Sequence, residues 1–179
     1  MVTRLSHLIF AAALLLGIGP AQAAWKHYKF PELGFAVDFP AETKTSKGQW
    51  KGGVARTVPT TVISAEVDDV TYQAIVADFS DRVADTPTIL GEAAYILAHE
   101  GMLIADTVAR TEPGPNAVYG RRVTVTLKDG SKKTSEVYAT RGKLYVFVTT
   151  ISAAGDLGNP IAARFQDSIL FDLSRDRSQ

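Results

Sequence analysis

Two turn dipeptides, Asp129-Gly130 and Arg141-Gly142, divide the stretch Val118–Ser152 into three strand-like runs. A glycine directly after a turn-forming residue, between alternating apolar segments, marks a tight hairpin. Two such hairpins in succession dictate an antiparallel meander, and everything else in the chain has to pack on its two faces. If Asp129-Gly130 forms a two-residue turn, Lys128 faces Ser131, Val125 faces Thr134, Val123 faces Glu136 and Arg121 faces Tyr138. Arg141-Gly142 likewise sets Thr140 opposite Lys143, Tyr138 opposite Tyr145 and Glu136 opposite Phe147. One bulge would slip the pairing by a residue and exchange the faces.

In that register the two faces differ in kind. One carries Gly120, Ala139, Leu144, Val137, Val146 and Val148, small and apolar, suited to receive a helix. The other carries Tyr119, Arg121, Tyr138, Tyr145, Glu136 and Phe147. A closing helix is predicted over Asn159–Leu170, with Asn159 as N-cap and Pro160 at its first position. Its stripe of Ile161, Phe165 and Ile169 is expected to bury against the smooth face.

Upstream, Trp25–Phe30 reads as a short strand, Pro31–Gly34 as a turn, and Gly34–Pro40 as a strand with Phe35, Val37 and Phe39 on one face. The polar, Gly-containing segment Glu42–Gly53 predicts a loop, with Trp50 folded back onto the core edge. Ala55–Val67 and Val70–Phe79 predict two strands joined at Asp68-Asp69, with an edge or bulge at Pro59. The second is apolar on both faces, the pattern of a strand covered on both sides. Thr86 as N-cap and Pro87 at the first position start a helix running to about Glu100, with Ile89, Ala93, Ile96 and Leu97 inward and Gly101 as its stop. Met102–Thr111 resumes as a strand, and Glu112–Asn116 is a loop. Strands, helix, antiparallel strands, helix give an α+β class: a central, mostly antiparallel sheet flanked by two main helices.

The N-terminus has the layout of a cleaved export signal. Arg4 supplies the positive region, Leu8–Ile18 the apolar run, and Ala21-Gln22-Ala23 the cleavage pattern, so the mature chain is expected to start at Ala24. Pro20 interrupts the run too early for a membrane span of about 20 apolar residues. With no cysteine there is no lipid attachment site after the signal, no disulfide and no thiol chemistry. Residues 24–173 are expected to form one domain, followed by a polar tail at 174–179. Cleavage removes one of 19 basic residues and none of the 19 acidic ones. The resulting balance near neutrality offers no long-range attraction to nucleic acid or an anionic membrane.

Several segments together resemble a known group. They are the aromatic start leading into Gly34–Pro40, the strand entry Gly120-Arg121-Arg122, the Asp129-Gly130 turn, the strand opening at Leu144-Tyr145, and the closing Ala163–Ile169. They resemble exported bacterial domains of unknown function with the PsbP-like fold, which an extrinsic photosystem II subunit and a Ran-GTPase release factor share. The resemblance implies a central antiparallel sheet between helices. It brings no catalytic, cofactor or metal-binding residues to particular positions of this chain, and fold-level likeness does not carry function.

After cleavage only His27 and His99 remain, at no zinc-hydrolase spacing. His99 at a helix end is explained by the helix dipole. There is no G-x-S-x-G elbow, and the glycine pairs lack a phosphate-loop frame. Asp68-Asp69 are read as turn acids, and the Lys128–Lys133 hairpin tip as a solvated, edge-protecting turn. The candidate partner or ligand surface is therefore Arg121, Glu136, Tyr138 and Tyr145 with Trp50, since an Arg among aromatics can grip a carboxylate or a partner side chain. The same residues would equally serve as a cross-strand Arg121–Glu136 pair over tyrosine rings. The expected function is a non-catalytic periplasmic accessory module, without cofactor or metal, docking to an envelope protein or component. The alternative is a small-ligand carrier or weak hydrolase using an Arg/Glu/Tyr pocket between sheet and helix.

Overall fold

The computed structural model describes residues 25–52, 56–80, 85–111, 117–155 and 160–171, without the side chains at 56 and 160–162. The export segment 1–23, the loop Glu112–Asn116, the cap Asn159 and the tail 174–179 lie outside the described residues, apart from the element bounds given below. Strand β1 (Lys26–Phe30) and β2 (Phe35–Phe39) pair around the Pro31–Gly34 turn, where Gly34 takes φ +85°. Period two places Phe35, Val37 and Phe39 in the core, each at most 2% exposed.

The segment expected as a loop at Glu42–Gly53 is instead strand β3 (Lys44–Gly52), paired along its length with β4 (Arg56–Val67). It is the edge of the large sheet and is mostly exposed, so it needs no apolar face and its composition reads as loop. Trp50 lies on this strand opposite Val58 and is half-buried at the core edge. β5 (Val70–Asp78) follows the Asp68-Asp69 turn, in which Asp68 has φ +52°. Pro59 lies outside the β4–β5 ladder, which starts at Thr60, so the strand has one neighbour there. Tyr72, Ala74 and Val76 enter one core and Ala77 and Phe79 the other, so β5 is covered on both faces.

Helix α1 (Thr86–Ala98) starts one residue earlier than expected: Asp85 is the cap, its carboxylate accepting from the Thr88 amide at 2.7 Å. His99 caps the other end, its ring nitrogen 2.8 Å from the Tyr95 carbonyl oxygen. Strands β6 (Met102–Arg110), β7 (Tyr119–Thr126), β8 (Lys132–Thr140) and β9 (Lys143–Ile151) complete a seven-stranded antiparallel sheet in the order β3-β4-β5-β9-β8-β7-β6. α2 (Pro160–Asp167) ends three residues short of the expected Leu170, and the chain continues into β10 (Leu170–Phe171), which pairs with β2. The second sheet has the order β1-β2-β10. The fold is thus dominated by antiparallel strands, with two helices among the described residues.

The Arg141-Gly142 turn has the expected register, with φ of +52° and +69° matching a two-residue primed turn. The Asp129-Gly130 turn does not. Leu127 donates to the Ser131 carbonyl and Gly130 to the Leu127 carbonyl, with Gly130 at φ +85°, which inserts an extra residue. The β7–β8 pairing slips by one, to Arg122↔Glu136, Arg121↔Val137 and Gly120↔Tyr138. β7 therefore presents its other face relative to the expected register.

The closing helix does not take the smooth face expected for it. The smooth Val137/Ala139/Leu144/Val146/Val148 face receives α1, whose Ala93 and Ala94 allow a close approach. α2 sits over the aromatic face, where Phe165 is fully buried among Phe39, Tyr72 and Phe147 at ring distances of 5.0–6.2 Å. A phenyl ring fills an aromatic layer, and small alanines suit a flat aliphatic one.

Gly120 belongs to the close-packed part of that aromatic layer. A Cβ there would stand 2.6 Å from the Tyr138 ring and closer still to the Val137 carbonyl oxygen. Gly120→Ala is expected to destabilise the fold by about 2 kcal/mol in denaturant unfolding. An unchanged midpoint would show that β7 does not pair in this register.

Candidate functional site

The register brings together rows of side chains across β7, β8 and β9 on the face covered by α2. One row is Gly120, Tyr138 and Tyr145; the next is Arg122, Glu136 and Phe147; the third is Thr124, Thr134 and Thr149. Of the residues expected to form a surface, Glu136, Tyr138 and Tyr145 do share this face, but all three are buried, at 2%, 1% and 4% exposure. Arg121 is on the opposite face, where it pairs with Asp106 of β6 and donates through Nε at 2.9 Å. Trp50, on the far edge strand, is not brought to this group. The arginine that meets Glu136 is Arg122, one residue on.

Glu136 is fully engaged. Its Oε1 accepts from Arg122 Nε at 2.6 Å and from the same guanidinium's Nη2, and its Oε2 accepts from the Tyr138 hydroxyl at 2.6 Å. A buried carboxylate needs such partners to stay in a low-dielectric interior. Burial, then the Glu136 charge, push the Tyr138 hydroxyl far above its ordinary pKa. The Tyr145 hydroxyl donates to the Leu33 carbonyl at 3.0 Å and so holds the β1–β2 turn on the large sheet. Burial raises both Tyr145 and Tyr72 to about 12.

Beyond Arg122 the aromatic layer gives way to a cleft of about 320 Å³ between α2 and the sheet. Thr124, Thr134 and Thr149 form its polar lining, Ile104, Ala105, Ile151 and Ala163 the apolar part, and Arg122 and Gln166 complete it. Thr124 and Thr134 hydroxyls lie 3.3 Å apart, and Gln166 Nε2 donates to the Thr134 carbonyl at 3.2 Å. The Thr149 hydroxyl, on a residue 2% exposed, has no hydrogen-bond partner among the described residues. Sequence reasoning missed this threonine row because the bulge at Gly130 hides which β7 residue faces which β8 residue.

A second feature lies at the sheet margin. β6 has no strand neighbour beyond it among the described residues, and its Met102, Leu103, Ile104 and Val108 are 70%, 50%, 49% and 73% exposed. A register shift between Leu103 and Ala105 interrupts its ladder with β7, after which Ala105–Arg110 runs regularly. Tyr119, opposite Arg110 and under its guanidinium at 5.3 Å, extends the exposed apolar surface. No group of metal-ligating side chains is present among the described residues, and no described helix is long and apolar enough to cross a membrane.

No protein-family model matches the chain, and a search of curated proteins finds no match. Among solved structures it is similar to the solution structure of cyanobacterial PsbP (CyanoP) from Synechocystis sp. PCC 6803. The TM-score is 0.51 at 16% identity, covering 87% of this chain and 95% of that one. At that identity the likeness establishes the fold, and the fold is PsbP-like.

Two neighbouring arginines now carry opposite expectations. Arg122→Ala leaves the buried Glu136 without its cation and is expected to cost about 2–3 kcal/mol in denaturant unfolding. Arg121→Ala breaks an exposed pair with Asp106 and is expected to cost about 0.5 kcal/mol. Reversed magnitudes would contradict the observed register. The tyrosines set an alkaline limit on stability. Their folded pKa values lie above the unfolded value of about 10, so the unfolded chain loses these protons first and stability falls as pH rises from about 10 toward 12. Melting temperature is expected to be level from pH 7 to about 10 where these groups are concerned, then to drop. Tyrosinate absorbance of Tyr72 and Tyr145 should rise together with unfolding.

Proposed function

We propose that the protein is a non-catalytic accessory module, exported to the periplasm, that docks to an envelope protein through the β6 edge. The observation that carries this proposal is the contrast between the two edges of the large sheet. β3 bears Lys44, Lys47 and Lys51, the usual protection of an open edge. β6 exposes Met102, Leu103, Ile104 and Val108 along an edge that pairs with no further strand among the described residues. An edge of that kind accepts a strand from a partner, the backbone supplying hydrogen bonds and alternate side chains the selectivity. The regular stretch Ala105–Arg110, with Val108 near its centre, is the docking segment. The Arg4, Leu8–Ile18 and Ala21-Gln22-Ala23 pattern supports the export part of this reading.

The test is photo-crosslinking in cells expressing the full chain, with the crosslinking residue at Met102 on β6 or at Lys47 on β3. A discrete adduct is expected from Met102 and not from Lys47, and mass spectrometry should identify its partner as an envelope protein. Val108→Lys, a charge on an already exposed position, should remove the Met102 adduct while leaving the melting temperature of the purified protein unchanged. Equal adducts from both edges, an adduct indifferent to Val108→Lys, or an adduct with a second copy of the chain would overturn the proposal.

A further inference from the structure

The threonine-lined cleft adjoins the β6 edge, sharing Ile104 and Ala105 with it, and has the chemistry of a ligand site. Its volume of about 320 Å³ falls at the small end of ligand pockets, roughly 300–1,000 Å³. It combines an apolar wall of Ile104, Ala105, Ile151 and Ala163 with hydrogen-bond donors of two kinds.

The first donor is Arg122. Glu136 takes its Nε–H and a contact at Nη2, which among the described residues leaves part of the five-donor fork uncommitted, on a side chain 46% exposed. Glu136, itself 3% exposed at its side chain, thereby fixes the guanidinium plane at the cleft. The second is Thr149, a residue of the cleft lining whose buried hydroxyl has no partner among the described residues. A valine has nearly the same shape, so a threonine here keeps a polar group where an apolar one would fit. Fixed donors beside an apolar wall call for a ligand with an acceptor-rich head and an apolar body. A carboxylate is the head that best uses a guanidinium.

We propose that the cleft between α2 and the β7–β8–β9 face binds a small carboxylate with an apolar body, with Arg122 and Thr149 as its polar contacts.

Amide chemical shifts of the mature protein, titrated with hexanoate and with the uncharged hexanamide, test this directly. Hexanoate is expected to shift Thr134, Thr149 and Ala163 saturably, and hexanamide to bind roughly tenfold more weakly, the loss of one charge-assisted contact. Thr149→Val keeps the shape of the cleft and should weaken hexanoate roughly fivefold, the effect of one neutral hydrogen bond, while raising the melting temperature. Because that variant is expected to be more stable, weakened binding could not come from lost folding. Shifts confined to other residues, equal binding of the two probes, or hexanoate affinity unchanged by Thr149→Val would each overturn the assignment. The reporting residues Thr134, Thr149 and Ala163 all lie off β6, so the two proposals can fail separately.

Discussion

Gly130 holds a left-handed conformation at φ +85°, and the arrangement of the whole α2 face follows from it. That conformation, unfavourable for residues with a Cβ, lets the β7–β8 connection accept one residue more than a two-residue turn. Because side chains alternate with period two, that single residue decides the facing of every residue on β7. It carries Arg122 rather than Arg121 over Glu136, and Gly120 rather than a larger residue under Tyr138. It also puts Thr124 beside Thr134, on the row that ends in Thr149. The second turn, Arg141-Gly142, then transmits the frame to β9 without a further slip.

Given that frame, the buried polar groups account for one another. Glu136 could not sit at 2% exposure without the Arg122 guanidinium and the Tyr138 hydroxyl. Tyr138 in turn packs against Phe147 and Phe171, and Phe171 belongs to β10, so the polar pair is tied to the closing segment of the chain. Tyr145 makes the corresponding tie at the start, through the Leu33 carbonyl. The small β1-β2-β10 sheet is therefore anchored to the large one by rings that carry their own hydrogen-bonding ends. Apolar burial supplies most of the attraction, and the hydroxyls fix where the two sheets meet.

What was legible in the sequence was local or strongly periodic. Phe35, Val37 and Phe39 alternate cleanly, β5 is apolar on both faces, and Arg141-Gly142 is a turn with one natural length. What was illegible depended on partners distant in sequence. β3 is polar because it is an edge, so neither hydrophobic alternation nor strand composition marks it, and only its pairing with β4 makes it a strand. The Asp129-Gly130 dipeptide suits a two-residue turn and a bulged turn alike, and nothing nearby distinguishes them. The assignment of helices to faces failed for the same reason: α2 follows the meander directly, but Phe165 matches the aromatic layer and the alanines of α1 match the aliphatic one. The surface inferred from Arg121, Glu136, Tyr138 and Tyr145 combined three residues that do share a face with one that does not.

The cleft and the β6 edge meet at Ile104 and Ala105, on the margin of the large sheet. Eight residues of helix cover the aromatic rows and stop at Asp167, where the chain turns into β10 to complete the small sheet. Among the described residues of α2, Ala163 and Gln166 line the cleft over the threonine row. The shift at Ile104 adds to this, since the interrupted ladder places Ile104 and Ala105 together in the cleft lining. A helix that covered the whole cleft would require the threonine hydroxyls to be satisfied or replaced. A tighter β6 would continue the ladder with β7 and remove Ile104 from the cleft. Polar groups on an otherwise apolar sheet and an unprotected strand at its margin both weigh against stability and solubility. They persist together on the part of the molecule that the helices leave open, which is where binding can occur without disturbing the aromatic core.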